Sequence, residues 1–118
     1  MTGVGGELPK LYVMDISYFS GKVEAYLRYQ GVAYERVETD LRRLVLEVGR
    51  ATGVMQVPAM RLADGSWLRE STALIRWFEA RPETVPVLPG EPAEAFLCAL
   101  VEDYCDEWLW RPAMWWRW

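Results

Sequence analysis

The spacing of apolar residues predicts a strand followed by a helix at the start of the chain. Residues 10–16 form an apolar, β-prone run that predicts a first strand. After a turn, Val23, Tyr26 and Leu27 recur at the three- and four-residue spacing of one helix face. Gly31 is expected to close this helix in a left-handed conformation.

The pattern continues with a short strand and a second helix. Residues 34–37 predict the second strand, and Asp40 is expected to cap the helix that follows. The apolar stripe of this helix comprises Leu41, Leu44, Val45 and Val48. Because these positions share one face of a regular helix, we expect that face to pack against the sheet.

A hairpin and a third helix complete this part of the pattern. Strands are predicted over residues 58–62 and 66–68, on either side of the turn Asp64-Gly65. Ser71 is then expected to cap a helix whose apolar face comprises Leu74, Ile75 and Phe78. The motif Arg81-Pro82 should stop that helix.

The order of these elements is strand, helix, strand, helix, strand, strand, helix. A helical crossover makes the first two strands parallel, and the hairpin makes the last two antiparallel. The order therefore predicts an α/β fold of the thioredoxin-like β-α-β-α-β-β-α type, with a mixed four-stranded sheet. We assign residues 10–81 to this domain and residues 1–9 to a flexible, glycine-rich tail.

The remainder of the chain has a different character. Residues 82–92 contain four prolines in eleven positions, which is typical of a semi-rigid linker. Residues 93–118 predict the beginning of a truncated, all-helical domain, in which Pro112 is expected to interrupt the helix. The apolar stripe of this helix comprises Leu97, Leu100, Val101, Tyr104, Cys105 and Trp108.

The tryptophans are concentrated at the C-terminal end, where five of the seven follow position 107. A segment this apolar is expected to be covered, either by helices of a longer protein or by another subunit. We therefore expect a homodimer, or an association through the Trp-rich end. An interfacial membrane segment is a further alternative, although the basic face that such helices carry is thin here.

Charge and composition exclude several classes of function. The net charge of −4 argues against a nucleic-acid partner, because neutralising phosphates requires a basic face. No apolar run approaches the roughly 20 residues that cross a bilayer, and the N-terminus does not resemble a secretory signal. The chain lacks histidine, which removes Ser-His and Cys-His catalysis and the commonest zinc ligand, so we expect no metal.

The two cysteines are expected to be unpaired. Cys98 and Cys105 are seven residues apart on a predicted helix, a separation of roughly 10 Å. That separation exceeds the roughly 7 Å between Cα atoms that a disulfide bridges. We expect two buried thiols and a reducing, cytoplasmic location.

Two motifs indicate a site for a small ligand. Val57-Pro58 precedes a strand and is a candidate cis peptide bond. Glu70-Ser71 opens a helix, where unpaired N–H groups and the helix dipole favour an anion. Together they predict a pocket in which main chain and a helix start bind a peptide-like molecule.

Four segments resemble the glutathione transferase family in their order and spacing. They are residues 17–27, 56–60, 70–74 and 106–114, and the resemblance extends over residues 10–118. It implies binding of glutathione as a co-substrate and attack of the glutathione thiolate on a soft electrophile, a reaction of detoxification.

The resemblance assigns the activating role to Ser17, five residues before Lys22. A free thiol has a pKa near 8.5, so a hydroxyl donated to the sulfur at a helix start would favour the thiolate. The simpler alternative is that Ser17 only caps the helix. Tyr18 and Ser20 are rivals for the activating role.

The resemblance also assigns the binding residues. A cis bond at Val57-Pro58 would turn the Val57 main chain outward to pair with the cysteinyl part of glutathione. Otherwise the proline merely begins a strand. Glu70 and Ser71 would bind the γ-glutamyl end, unless Ser71 is only a cap. Gln56 would lie near the glycyl end, whose carboxylate has Arg43 and Arg50 as candidate partners.

A second class of function remains open. Transferase-like domains also act as non-catalytic interaction modules, as in translation elongation factor subunits and metaxin-like proteins. In that case the Trp-rich end is a docking surface and Ser17 is a cap. The family's cysteine-type reductases are excluded, because no cysteine lies near position 17.

Overall fold

The structure is a computed structural model that describes residues 6–118. The chain divides into two compact units, the first ending at Thr84 and the second comprising Val85–Trp118. The first five residues of the predicted tail lie outside the described residues. The end of that tail is attached to the sheet, because the carbonyl of Pro9 accepts a hydrogen bond from the amide of Glu35 at 2.8 Å.

The first unit contains four strands and the helical segments between them. The strands are β1 (Lys10–Val13), β2 (Glu35–Glu38), β3 (Ala59–Arg61) and β4 (Trp67–Arg69). The helices are α1 (Tyr18–Gln30), α2 (Leu41–Arg43), α3 (Arg50–Thr52) and α4 (Ser71–Glu79). A π-helical stretch, Leu44–Gly49, joins α2 to α3.

The strands form one mixed sheet in the spatial order β2-β1-β3-β4. β1 and β2 are parallel, while β3 is antiparallel to both β1 and β4. The predicted thioredoxin-like mixed sheet is therefore confirmed. β1 ends three residues earlier than predicted, because Asp15 and Ile16 form the turn that leads to α1.

Both faces of the sheet bury side chains. On one face, α1 and α4 cover a core that comprises Leu11, Val13, Val23, Tyr26, Leu27, Met60, Leu74, Ile75 and Phe78. On the other, a smaller cluster comprises Tyr12, Val37, Val48 and Ala59. Because successive residues of a strand point to opposite faces, β1 buries Leu11 and Val13 on one face and Tyr12 on the other.

The ends of α1 match the sequence prediction. Ser17 is the N-cap, and its side-chain oxygen accepts a hydrogen bond from the amide of Ser20 at 3.2 Å. Gly31 is the C-cap, with a φ of 68° in the left-handed region. A glycine is favoured there because a Cβ atom would meet the following carbonyl.

Gly21, which lies inside α1, and Gly31, which is the C-cap of α1, allow a matched test of this explanation. Apart from the glycine itself, the adjacent residues and the backbone of its own helix, a Cβ atom at Gly31 or at Gly21 would meet nothing within 4 Å, so only the backbone conformation distinguishes them. We expect Gly31→Ala to lower the free energy of unfolding by about 1 kcal/mol. We expect Gly21→Ala to raise it by about 0.5–1 kcal/mol, because alanine favours a helix interior. Urea denaturation of both variants measures this difference, and effects of the same sign would contradict the explanation.

The second helical segment differs from the prediction. Asp40 caps it as expected, because its carboxylate accepts a hydrogen bond from the amide of Arg43 at 2.8 Å. Of the predicted apolar stripe, however, only Val48 is buried, whereas Leu41 and Val45 are exposed. The π-helical stretch explains this difference, because its wider turn rotates the following residues away from the three- and four-residue spacing.

After residues 85–91, which are not helical, the second unit is a single run of helix. It comprises α5 (Pro92–Tyr104), a π-helical stretch Cys105–Leu109 and α6 (Trp110–Arg117). Pro112 lies inside α6, so the predicted interruption there is wrong. Proline cannot donate to the carbonyl four residues earlier, and the preceding π-helical stretch accommodates this missing bond because its carbonyls pair five residues ahead.

The predicted burial of the two thiols is also wrong. Cys98 and Cys105 are both exposed and unpaired. None of the residues of α5, the π-helical stretch or α6 is buried, and Trp115 and Trp116 are 82% and 86% exposed. A single helical run contains no second helix that could pack on its apolar stripe. The spacing of residues predicts an apolar face, but it does not predict whether another element buries that face.

Candidate functional site

Three strand ends meet at one edge of the sheet. In the antiparallel register, Tyr12 of β1 lies opposite Ala59 of β3, and Ala59 lies opposite Arg69 of β4. The chain therefore leaves β1, enters β3 and leaves β4 at the same edge. This topology brings the three sequence motifs together, since Ser17 follows β1, Val57-Pro58 precedes β3, and Glu70 follows β4.

The Val57-Pro58 motif lies at the entrance to β3. The peptide bond between the two residues is cis. Val57 is half-buried and Pro58 is buried. Among residues 6–118, neither the N–H nor the C=O group of Val57 has a hydrogen-bond partner. Gln56, immediately before, is exposed. The edge therefore carries main-chain groups that an extended ligand could pair with.

Glu70 and Ser71 do not divide their roles as the sequence predicts. The N-cap of α4 is Glu70, not Ser71, and its side chain makes no capping hydrogen bond. Its φ of 67° is in the left-handed region, which is uncommon for any residue other than glycine. Ser71 is the first residue of the helix and is buried. A sequence pattern predicts an N-cap from residue type alone. It does not include the backbone conformation at the end of β4, which places the N-cap one residue earlier, at Glu70.

Lys22 joins α1 to the first turn of α4. Its ammonium Nζ lies 3.3 Å from Ser71 Oγ and 3.2 Å from Thr72 Oγ1. A hydroxyl that accepts from an ammonium directs its own hydrogen elsewhere, so Ser71 is left with an O–H group to donate. A cation therefore adds to the positive end of α4. The sequence marked Lys22 only as a basic residue of the first helix, and it gave no signal for Thr72.

Ser17 is half-buried at the start of α1. Its oxygen already accepts from the amide of Ser20, so its own hydrogen is available to a ligand. Of its two rivals, Ser20 is buried, and its hydroxyl oxygen accepts a hydrogen bond from the amide of Met14 at 3.3 Å. Tyr18 is exposed. Burial, not its hydrogen bond, removes Ser20 as a donor to a ligand, because its side chain does not reach the surface. Ser17 and Tyr18 remain.

A tyrosine beneath this edge anchors the second helical segment to the central strand. The hydroxyl of Tyr12 donates to the carboxylate of Glu47 at 2.9 Å, and its ring packs against Trp67 at a centroid distance of 5.2 Å. Burial, followed by the hydrogen bond to Glu47, raises the pKa of Tyr12 to about 12. Arg43 and Arg50, the candidates for a glycyl carboxylate, are both exposed on the same helical segment.

An apolar cavity of about 360 Å³ lies at the opposite end of the sheet. Its lining includes Pro9 before β1, Leu62 after β3, and Trp77 and Phe78 near the end of α4. It contains none of the residues singled out above, so it is separate from the candidate site. Among the residues that the structure describes, no cluster of three or more His, Cys, Asp or Glu side chains is arranged to hold a metal ion. None of the helices within residues 6–118 is long and apolar enough to cross a membrane.

Comparison with known families agrees with this fold. The family described as glutathione S-transferase, N-terminal domain, matches residues 11–92. The chain belongs to the glutathione S-transferase family. The predicted family resemblance is therefore confirmed, and the match covers all of the sheet except Lys10, together with both helices that pack on its larger core.

Individual glutathione S-transferases resemble the chain beyond this domain. Glutathione transferase GST 23 of Zea mays is 31% identical over 90 residues, which are 72% of this chain and 40% of the maize protein. The Tau class glutathione S-transferase of mango, Mangifera indica, matches with a TM-score of 0.78 at 20% identity, over 89% of this chain and 48% of that one.

A third relative was solved with a ligand. A glutathione S-transferase from Methylobacterium radiotolerans, in complex with glutathione sulfonate, matches with a TM-score of 0.74 at 26% identity. The match covers 83% of this chain and 46% of that one. The chain thus spans less than half the length of these three glutathione S-transferases.

Proposed function

We propose that the first unit binds glutathione at the sheet edge where Ser17, Val57 and Ser71 lie, and that it activates the glutathione thiol. The observation that carries the proposal is the convergence of Lys22 and the first turn of α4 on Ser71. Membership of the glutathione S-transferase family and the relative with bound glutathione sulfonate support the choice of ligand.

The γ-glutamyl end of glutathione carries a carboxylate and an ammonium group. The carboxylate accepts hydrogen bonds from the amide of Ser71, at the start of α4, and from the hydroxyl of Ser71. The charge of Lys22 strengthens this binding. The carboxylate of Glu70, which is exposed beside the helix start, accepts from the ammonium group. The negative and positive groups of the γ-glutamyl end therefore each face a protein group of opposite charge.

The cysteinyl part of glutathione pairs with the Val57 main chain. The unpaired N–H and C=O groups of Val57 allow the tripeptide to add to the sheet edge as a short strand. Pro58 has no N–H group to offer, so pairing on this side ends at Val57. Gln56 lies next along the chain and is assigned to the glycyl end.

Ser17 stabilises the thiolate. The Ser17 hydroxyl donates a hydrogen bond to the sulfur, and the N-terminus of α1 adds a favourable partial charge. The thiol proton leaves to water, so no histidine is required. Lowering the thiol pKa by two units corresponds to about 2.7 kcal/mol, which lies within reach of one charge-assisted hydrogen bond and a helix terminus.

The thiolate then attacks a soft electrophile, so the proposed reaction is that of a glutathione transferase acting in detoxification. A larger helical second domain would supply the electrophile's binding surface and complete a dimer, and turnover by the 118 residues alone is therefore expected to be weak. We assign the protein to the cytoplasm, where reduced glutathione is abundant. The family match does not favour the alternative of a non-catalytic interaction module.

Isothermal titration of glutathione into the chain tests the proposal, with the only two lysines as a matched pair. We expect Lys22→Met to weaken binding about tenfold, equivalent to about 1.4 kcal/mol, because it removes a charge and a partner of Ser71. Lys10→Met makes the same change in charge at the other end of β1, where Lys10 pairs with Glu7 at 3.2 Å. We expect it to leave the Kd within about twofold, since Lys10 lies at the opposite end of β1 from the assigned site and its charge is already paired with Glu7 and Glu35.

Equal weakening by both substitutions would show that only net charge matters and would contradict the assigned site. No binding of glutathione by the folded wild-type chain would overturn the proposal itself and would favour the interaction module.

A further inference from the structure

A cluster of charged residues joins β2 to the turn before α1. The guanidinium of Arg36 donates through Nε to Glu24 Oε1 at 2.8 Å and through Nη1 to Glu38 Oε2 at 2.7 Å. Its Nη2 donates to Asp15 Oδ1. One side chain on β2 therefore contacts carboxylates from α1, from its own strand and from the turn that follows β1.

The contacts of Arg36 lie on both sides of Ser17. Asp15 precedes Ser17 by two residues, and Glu24 is in the second turn of the helix that Ser17 caps. The main-chain amide of Asp15 also donates to Glu38 Oε1 at 3.3 Å, so Glu38 contacts both the turn and the guanidinium. The segment that carries Ser17 is thus attached to β2 at its start and at its end.

Arg36 is suited to this position by its shape as well as its charge. Three hydrogen bonds leave the planar guanidinium in three directions, and an ammonium group on a flexible stem could not reproduce that geometry. The hydrogen bond to Glu24, followed by those to Glu38 and Asp15, raises the pKa of Arg36 above its ordinary value. The guanidinium therefore stays charged at every pH at which the protein is folded.

The three carboxylates differ in how much they depend on Arg36. The side chain of Glu24 is 11% exposed, and without Arg36 its buried charge would keep only the Tyr34 hydroxyl, at 3.3 Å, and Arg28 as partners. The side chain of Asp15 is 76% exposed, and its ion pair with Arg36 holds the turn without burying a charge. Arg28 is a weaker second partner of Glu24, at 4.0 Å and 74% exposed.

We propose that Arg36 is a positioning residue for the Ser17 hydroxyl, acting through Asp15 and Glu38 on the turn that ends at Ser17. This inference deepens the proposed function, because it assigns a residue outside the ligand edge to the activation of the thiol. The inference has a mechanical part, that Arg36 stabilises the turn before α1, and a chemical part, that this turn affects the thiol pKa. The mechanical part does not depend on the ligand. The two parts can therefore be measured separately.

Hydrogen exchange of the wild-type chain and its variants tests the mechanical part. The Ser17 amide donates to the carbonyl of Met14, and the Ser20 amide donates to the Ser17 hydroxyl oxygen, so both report on the turn. We expect Arg36→Met to speed exchange of these two amides at least about tenfold beyond any change at Met60 in the central part of the sheet. A loss of global stability alone would speed all three together.

A second variant tests the same inference if Arg36→Met alone fails to fold because Glu24 loses its ion pair. Glu24→Gln combined with Arg36→Met removes the buried charge together with its partner and still releases the turn. We expect it to retain the selective increase in exchange at Ser17 and Ser20. Arg28→Met, which removes an exposed cation from the same carboxylate, should leave those rates within about twofold of the wild type.

The pKa of the glutathione thiol, bound to the same variants, tests the chemical part. We expect Arg36→Met and the double variant to raise this pKa by about one unit, a tenfold change in the ionisation constant of the thiol. Rates at Ser17 and Ser20 that follow Met60 in both variants would overturn the inference. If the wild-type chain binds no glutathione, the proposed function fails, while the exchange rates still decide whether Arg36 holds the turn.

Discussion

Replacing Ser17 by alanine is expected to raise the pKa of the bound glutathione thiol by about one to two units, toward the free value near 8.5. At pH 7 the thiolate fraction would fall about three- to twentyfold, because the sulfur loses its hydrogen-bond donor while the N-terminus of α1 remains. The ultraviolet absorbance of the thiolate, followed against pH in the saturated complex, measures this change. Ser66→Ala is the control, since its hydroxyl lies in the β3–β4 turn and bonds Asp64 instead.

The variant Ser17→Gly separates activation from capping. Glycine is nearly as good an N-cap as serine, but it has no hydroxyl to donate and adds no charge beside the sulfur. We expect Ser17→Gly to keep most of the stability of α1 and still raise the thiol pKa, whereas Ser17→Thr should retain both functions. If Ser17→Ala left the thiol pKa unchanged, Ser17 would be a cap and nothing more.

Truncating Leu27 to alanine is expected to lower the free energy of unfolding of the first unit by about 2–5 kcal/mol. Leu27 is fully buried between α1 and the sheet, so the change removes apolar burial and leaves a cavity. Leu41→Ala makes the same chemical change at a position that is 74% exposed. We expect it to alter stability by no more than about 0.5 kcal/mol.

Urea denaturation followed by circular dichroism measures both leucine variants. The comparison depends only on burial, because the residue types before and after are identical. Similar losses for the two variants would mean that α1 does not pack as described. A small loss for Leu27→Ala alone would mean that the core collapses readily around the missing side chain.

The sequence predicted the elements that local chemistry decides. Ser17 and Gly31 mark the two ends of α1, because a serine oxygen satisfies a free amide and a glycine accepts a left-handed conformation. The mixed sheet followed from the order of the elements, since a helical crossover makes neighbouring strands parallel and a hairpin makes them antiparallel.

Features that depend on tertiary geometry could not be predicted. Glu70, not Ser71, is the N-cap of α4, and Glu70 has a left-handed φ. A glutamate gives no indication of that conformation in a sequence. The bond between Lys22 and Ser71 joins residues 49 apart. The exposure of Cys98 followed from the absence of a covering layer within its own unit. In each case the outcome depends on which elements become neighbours.

The candidate site was predictable as a set of motifs but not as an arrangement. Val57-Pro58 and Glu70-Ser71 stood out because proline and a polar helix start have restricted roles. Their meeting at one sheet edge required the register of β3 with both of its neighbours. The contacts of Arg36 could not be predicted from the sequence either, because they depend on how β2 lies beside the turn before α1.

Nuclear magnetic resonance of the ¹⁵N-labelled chain, titrated with glutathione, locates the bound tripeptide on the sheet. We expect saturable amide shifts that are largest at Val57, Ser71 and Thr72, with little change at Leu62 and Ala33 beside the apolar cavity at the far end of the sheet. Shifts confined to that far end, or none at millimolar glutathione, would rule out the assigned glutathione site.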